Sequence, residues 1–213
     1  MIRSLAGPGA ALALLAASGL SGPGEPAALR GSLGGEDFVP VDSSALVLGE
    51  ATCSFLGARA SAAGLGLGFG SFPGMCGLAT ETRRCGKKAR ATVLSLLLVR
   101  ANVAGGPARA VGPGTYAVGE GDPAPDAAGN FTVAQAFVTR TDDACAEPEG
   151  RRIATAGAIR IDAVGERVTG AADLVFDDGS RVAGAFDVAA CAYRTDVCTA
   201  LSGAGCGSPR CVR

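Results

Sequence analysis

The chain has no histidine and no tryptophan among its 213 residues. The first absence removes the commonest general base, the commonest transition-metal ligand and every Ser–His or Cys–His catalytic arrangement. No two cysteines stand in C-x-x-C spacing, so zinc-ribbon and thioredoxin-type readings lack their signature. Aromatic residues make up only 5% of the chain. Lysine is scarce as well: two lysines stand against 17 arginines, a bias that with the abundant Ala and Gly points to a GC-rich bacterial genome rather than to a function. The net charge of −1 gives no basic excess of the kind nucleic-acid binding needs, and nucleic acid is not an expected partner.

What is present points to a β-domain. Apolar residues form 48% of the chain, enough for a core, while 33 glycines and 11 prolines suit many short strands and turns better than long helices. The length gives one domain plus tails. Eight cysteines, Cys53, Cys76, Cys85, Cys145, Cys191, Cys198, Cys206 and Cys211, form an even set that reads as a disulfide framework and hence an oxidising compartment. The expected pairs are Cys76 with Cys85 and Cys145 with Cys191, the C-terminal cysteines pairing with each other or with Cys53.

Residues 1–22 read as a secretion signal: Arg3, an apolar run over residues 10–17, then the small residues Ser18, Gly19, Ser21 and Gly22. The run is too short for a stable membrane span. Leu20-Ser21-Gly22 would precede the lipid-bearing cysteine of a lipobox, but Pro23 follows, so a released or periplasmic protein is expected. Residues 23–35 read as a flexible Gly/Pro linker, 36–193 as the β-domain and 194–213 as a cysteine-rich tail.

Within the domain, the clearest stretch is residues 158–191. Val168, Gly170, Ala172, Leu174 and Phe176 fall on one face of a strand, and Val182, Gly184, Phe186 and Val188 on the matching face of the next. Asp177-Asp178-Gly179 fits a three-residue loop with Gly179 left-handed. That register pairs Phe176 with Ser180, Leu174 with Val182, Ala172 with Gly184 and Gly170 with Phe186. A two-residue loop would break the shared apolar face. Residues 91–103 are apolar on both faces and read as a central strand, covered by an N-terminal segment. Further strands are read at 38–48, 64–72, 114–119, 130–140 and 152–161, and one helix at 73–84. The fold class is therefore all-β: an antiparallel sandwich or barrel of about eight strands with one short helix, disulfide-braced.

Candidate sites are few. The Gly-rich run at 64–72 fails as a nucleotide loop, because the third glycine of the pattern falls on Phe69 or Ser71; Leu65, Leu67 and Phe69 share a strand face instead. With Tyr116 they would lie near the mouth of a barrel holding a small apolar ligand, or else fill a small core. Paired carboxylates for a histidine-free hydrolase could come from Asp142, Asp143, Asp173 and Asp187. Asp177 and Asp178 read as turn residues, too few for calcium. Arg83, Arg84, Lys87 and Lys88 read as a solvated helix end. No catalytic residue, cofactor or metal site is assigned.

The stretch ATAGAIRIDAVGERVTGAADLVFDDGSRVAGAFDVAAC (154–191), the Cys76 helix leading into ATVLSLLL and the GTYAVG at 114–119 resemble a loose group of uncharacterised envelope proteins and lipoproteins from high-GC Gram-negative bacteria. The resemblance covers roughly residues 39–191. It implies a compact β-sandwich or barrel without supplying catalytic residues, and Pro23 departs from the lipobox cysteine that the group often carries. The expected function is a non-catalytic secreted or periplasmic binding or structural module of the cell envelope. A small-apolar-ligand barrel and a carboxylate hydrolase stand as alternatives.

Overall fold

A computed structural model describes residues 28–55, 58–81, 86–119, 124–193, 195–202 and 210–212. The expected signal segment, Arg83, Arg84, Cys85 and Cys206 lie outside the described residues. The strands are β1 (Arg30–Leu33), β2 (Glu36–Phe38), β3 (Asp42–Phe55), β4 (Ala58–Gly70), β5 (Gly86–Lys88), β6 (Thr92–Asn102), β7 (Gly114–Gly119), β8 (Asn130–Arg140), β9 (Arg151–Val164), β10 (Arg167–Phe176), β11 (Arg181–Ala189), β12 (Thr195–Asp196) and β13 (Arg210–Val212). The helices are α1 (Met75–Glu81) and α2 (Val197–Ser202). The mostly-β class is as expected. Among the described residues there are thirteen strands and two helices, where the sequence suggested about eight strands and one helix.

Eleven strands form one sheet in the order β12-β3-β4-β6-β8-β9-β10-β11-β1-β2, with β7 also paired to β9. All its neighbours are antiparallel except β12 on β3. The sheet is not closed, but it curls. A single bridge joins Ala45 of β3 to Ala190, and the Cys191 N–H donates to the Ala45 carbonyl at 2.8 Å. Phe69 of β4 and Phe186 of β11, far apart in strand order, meet at 5.7 Å between ring centroids.

The 158–191 hairpin has the expected register. Gly170 pairs with Phe186, Ala172 with Gly184 and Leu174 with Val182, while the Phe176 N–H donates to the Ser180 carbonyl at 2.9 Å. Gly179 has φ 79°, the left-handed conformation that the loop demands. Val168, Leu174, Phe176, Val182, Phe186 and Val188 are all buried. They join Leu65, Leu67, Phe69, Leu94, Leu96, Leu98, Ile159 and Ile161 in one core on the inner face of the sheet.

Residues 30–33 correct the linker reading. They form β1, which pairs with β11 and β2, and Leu29 and Leu33 are buried in the main core. Glycine and proline around them mimic a linker, but two well-placed leucines anchor the segment. The central strand β6 lies between β4 and β8 as expected. Its outer face is covered differently from the expectation: Val93 packs with Phe72, Met75 and Leu78 beside α1, and Val99 with Leu48 and Val197 beside α2. The cover comes from α1 and the C-terminal tail because the N-terminal strand is used up extending the sheet past β11.

The disulfide pairings also need correcting. Cys53 bonds Cys198, Cys76 bonds Cys191 and Cys145 bonds Cys211, with Cα–Cα distances of 5.5, 5.6 and 5.5 Å. The reason for the second pair lies in β3. Its Asp42 accepts from the Gly74 and Met75 N–H groups at the start of α1, and its Ala45 accepts from Cys191. Both cysteines are thereby brought to the same end of one strand, so nearness in sequence misleads. The first pair agrees with the expected alternative that a C-terminal cysteine meets Cys53. Each bridge fastens a peripheral piece (α2, α1 or the two-stranded parallel sheet of β5 and β13) to the main body.

Candidate functional site

The sequence-predicted acids do not converge. Asp173 is bound bidentately by Arg181 at 2.9 and 2.6 Å, and Asp187 by Arg167 at 2.6 Å. Both lie exposed on the outer side of the hairpin. Asp143 pairs with Arg90. Asp142 caps its own turn, accepting from the Ala144 and Ala146 N–H groups at 2.8 and 2.9 Å. The Arg181 guanidinium holds the Asp173 carboxyl below its usual range, the opposite of what a general acid needs. Asp178 accepts from the Ser180 N–H at 2.9 Å and pairs with Arg152, the turn role expected of it. Lys87 of the basic cluster pairs with Glu147 at 2.8 Å. Among the described residues no group of His, Cys, Asp or Glu is placed to hold a metal ion.

Leu65, Leu67 and Phe69 are buried in the main core. Tyr116 packs against that core, and its hydroxyl donates to the Gly112 carbonyl at 2.6 Å. These side chains fill space rather than line a mouth.

A concavity of about 560 Å³ lies on the opposite, outer face of the sheet. Strand register builds its floor in two rows. One runs Leu46, Gly66, Leu97, Gln135 across β3, β4, β6 and β8; the next runs Ser44, Gly68, Ser95, Phe137. Met75 and Leu78 of α1 form one wall and Ala200 of α2 stands opposite. Arg151, at the start of β9, closes one end with its guanidinium carbon 4.2 Å from the centre of the Phe137 ring.

The glycines of β4 explain why the groove exists. Alternation sends Leu65, Leu67 and Phe69 inward and Gly64, Gly66, Gly68 and Gly70 outward. A Cβ on Gly64 would sit 3.3 Å from Val197 of α2, and one on Gly68 would sit 2.9 Å from the Met75 methyl of α1. Those glycines let the two helices lie close to the sheet. A Cβ on Gly66, between them, would meet only the Leu46 Cβ at 3.9 Å, so the floor there is bare. The sequence pattern located this strand and its bend. The groove itself needed α1, which follows β4 directly and folds back over it, and α2, which packs here from the far end of the sequence. Arg151 carried no signal among 17 arginines.

Acid sensitivity follows from the caps. Burial pushes the Asp42 carboxyl up, but N–H donation from Met75, Ser43 and Gly74 outweighs it and leaves the group below its ordinary value. Asp196 is lowered by the Thr199 N–H at the start of α2 and Asp126 by the Asn130 N–H. A folded pKa below the unfolded value of about 3.9 means stability that is fully present above that pH and is lost as pH falls through the folded values. Thermal melts should therefore be flat from about pH 5.5 to 7.5, where no histidine titrates, and fall steeply below about pH 4. Asp42→Asn should make that fall shallower, and an unchanged slope would show that the α1 cap plays no part in it.

Comparison of the chain with protein-family models, with curated proteins and with solved structures finds no match.

Proposed function

We propose that this chain is a non-catalytic β-domain of an oxidising compartment, secreted or periplasmic, that serves as a binding or structural module of the cell envelope. The observation that carries the reading is the set of disulfides. Three bridges, spanning 145, 115 and 66 residues, each tie a peripheral element to the main sheet, and such bridges persist where thiols are not kept reduced. The signal-like residues 1–22 and the resemblance to envelope proteins support the same compartment. The acids that a histidine-free hydrolase would use are occupied by arginines and turn amides, which supports the non-catalytic reading. The curled sheet reads as an incomplete barrel with a filled interior, so binding belongs on its outside.

The test is intact-mass measurement of the chain expressed with its own N-terminus, fraction by fraction, with and without reduction. The expected result is an exported species that has lost about the first 22 residues and gains at least six hydrogens on reduction, two for each of the three bridges. A full-length cytoplasmic species with free thiols would overturn the proposal.

A further inference from the structure

The geometry points to a binding site for a long-chain carboxylate amphiphile in the groove between α1 and α2. This inference rests on the binding-module reading and adds a site and a ligand class to it.

Three observations carry it. The groove's floor is mainly apolar: Leu46, Leu97 and Phe137 line it together with the bare backbone at Gly66, and the short polar side chains of Ser44 and Ser95 and the amide of Gln135 lie among them. Its volume of about 560 Å³ falls within the usual range for small-molecule sites. Its residues span β3 to β9, four strand steps or roughly 19 Å, so it suits a linear chain better than a compact ring.

The second observation is charge. Arg140, Arg152, Arg160, Arg167 and Arg181 each have a carboxylate within ion-pair distance, whereas Arg151 has none among the described residues. Its guanidinium stacks on Phe137 instead. Stacking holds the plane of the group and leaves its N–H edge available for the paired bonds that a carboxylate accepts. The groove therefore offers a long, mainly apolar floor with a stacked cation at one end.

Third, the apolar face on either side of the groove is already covered. Val197 packs over Leu48 and Val99, and Met75 over Phe72 and Ala91. The strip at Gly66 lies between these two covered patches.

Isothermal titration of the oxidised full chain with hexadecanoate, and with hexadecanol as the neutral control, tests the assignment. The expected result is one saturable site per chain. A Cβ at Gly66 meets only the Leu46 Cβ, at 3.9 Å, so Gly66→Leu puts a side chain into the groove and should lower hexadecanoate affinity at least tenfold while leaving the melting temperature within the parent's range. Arg151→Gln should weaken hexadecanoate about tenfold and leave hexadecanol unchanged. Absence of saturable binding to the oxidised, folded chain would overturn the site while leaving the compartment reading intact. So would equal binding by parent and Gly66→Leu. Sedimentation showing a dimer that Gly66→Leu dissociates would also overturn it, assigning the groove to a second copy of the chain.

Discussion

Gly170→Val should destabilise the domain by about 4 kcal/mol or more, in the range reserved for backbone clashes and severe overpacking. Gly170 lies in the middle of β10, beneath the ring of Phe186 on β11 and against β9. A Cβ there would overlap the Arg160 carbonyl oxygen and sit 2.8 Å from the Phe186 Cζ. The ring could turn away, but the carbonyl belongs to a strand paired on its other edge with β7 and cannot retreat without breaking that pairing. A typical domain has only about 5–15 kcal/mol in total, so the variant should be largely unfolded or recovered only at low temperature. Guanidinium denaturation followed by circular dichroism measures the loss. Adding Phe186→Leu to the variant should restore little, because the carbonyl clash remains. A loss under about 1 kcal/mol would mean that β9 and β10 are not packed as described.

That site also shows what a sequence can reveal here. The Gly170–Phe186 pairing was readable because two strands of matching alternation are joined by a loop whose length a single glycine sets. Every element needed for the inference lies within twenty residues. The central strand β6 was readable for a similar local reason, since its apolar residues occupy both faces. β1 was not: Leu33 within it and Leu29 just before it are isolated among glycines and prolines, and periodicity has too few residues to act on. Nor were the pairings of Cys76 and Cys145, because their partners lie 115 and 66 residues away and meet them only through the way the later chain returns to the sheet. The groove follows the same rule. Its floor is written in the Gly-x-Gly alternation of β4, but its walls come from α1 and α2, and its cation from the start of β9. Local chemistry therefore gave the sheet, and the long-range closures that give the sheet a binding face came only with the structure.

Removing the Cys53–Cys198 bridge by the double change Cys53→Ser/Cys198→Ser should cost about 4–5 kcal/mol, the entropy of closing a loop of that length in the unfolded chain. Loop entropy grows only with the logarithm of length. On that term alone, loss of Cys145–Cys211, which spans 66 residues against 145, should cost less than about 1 kcal/mol less. The two bridges should nevertheless differ in kind. Cys198 lies in α2, a helix of six residues, too short to persist alone. It is held over β3 and β4 by Val197, which is fully buried, and by this bridge. Without the bridge, α2 should detach below the global unfolding transition, and protease should cut at residues 197–202 while the main sheet stays intact. Because Ala200 forms a wall of the groove, hexadecanoate affinity should fall at denaturant concentrations where circular dichroism still reports a folded sheet. Loss of the Cys145–Cys211 bridge, which fastens β13 to the loop after β8 and leaves α2 tied to β3, should leave residues 197–202 protected from protease at the same concentrations. If binding and the sheet are lost together in the Cys53→Ser/Cys198→Ser variant, α2 is an integral part of the cooperative core and the bridge acts on the unfolded chain alone.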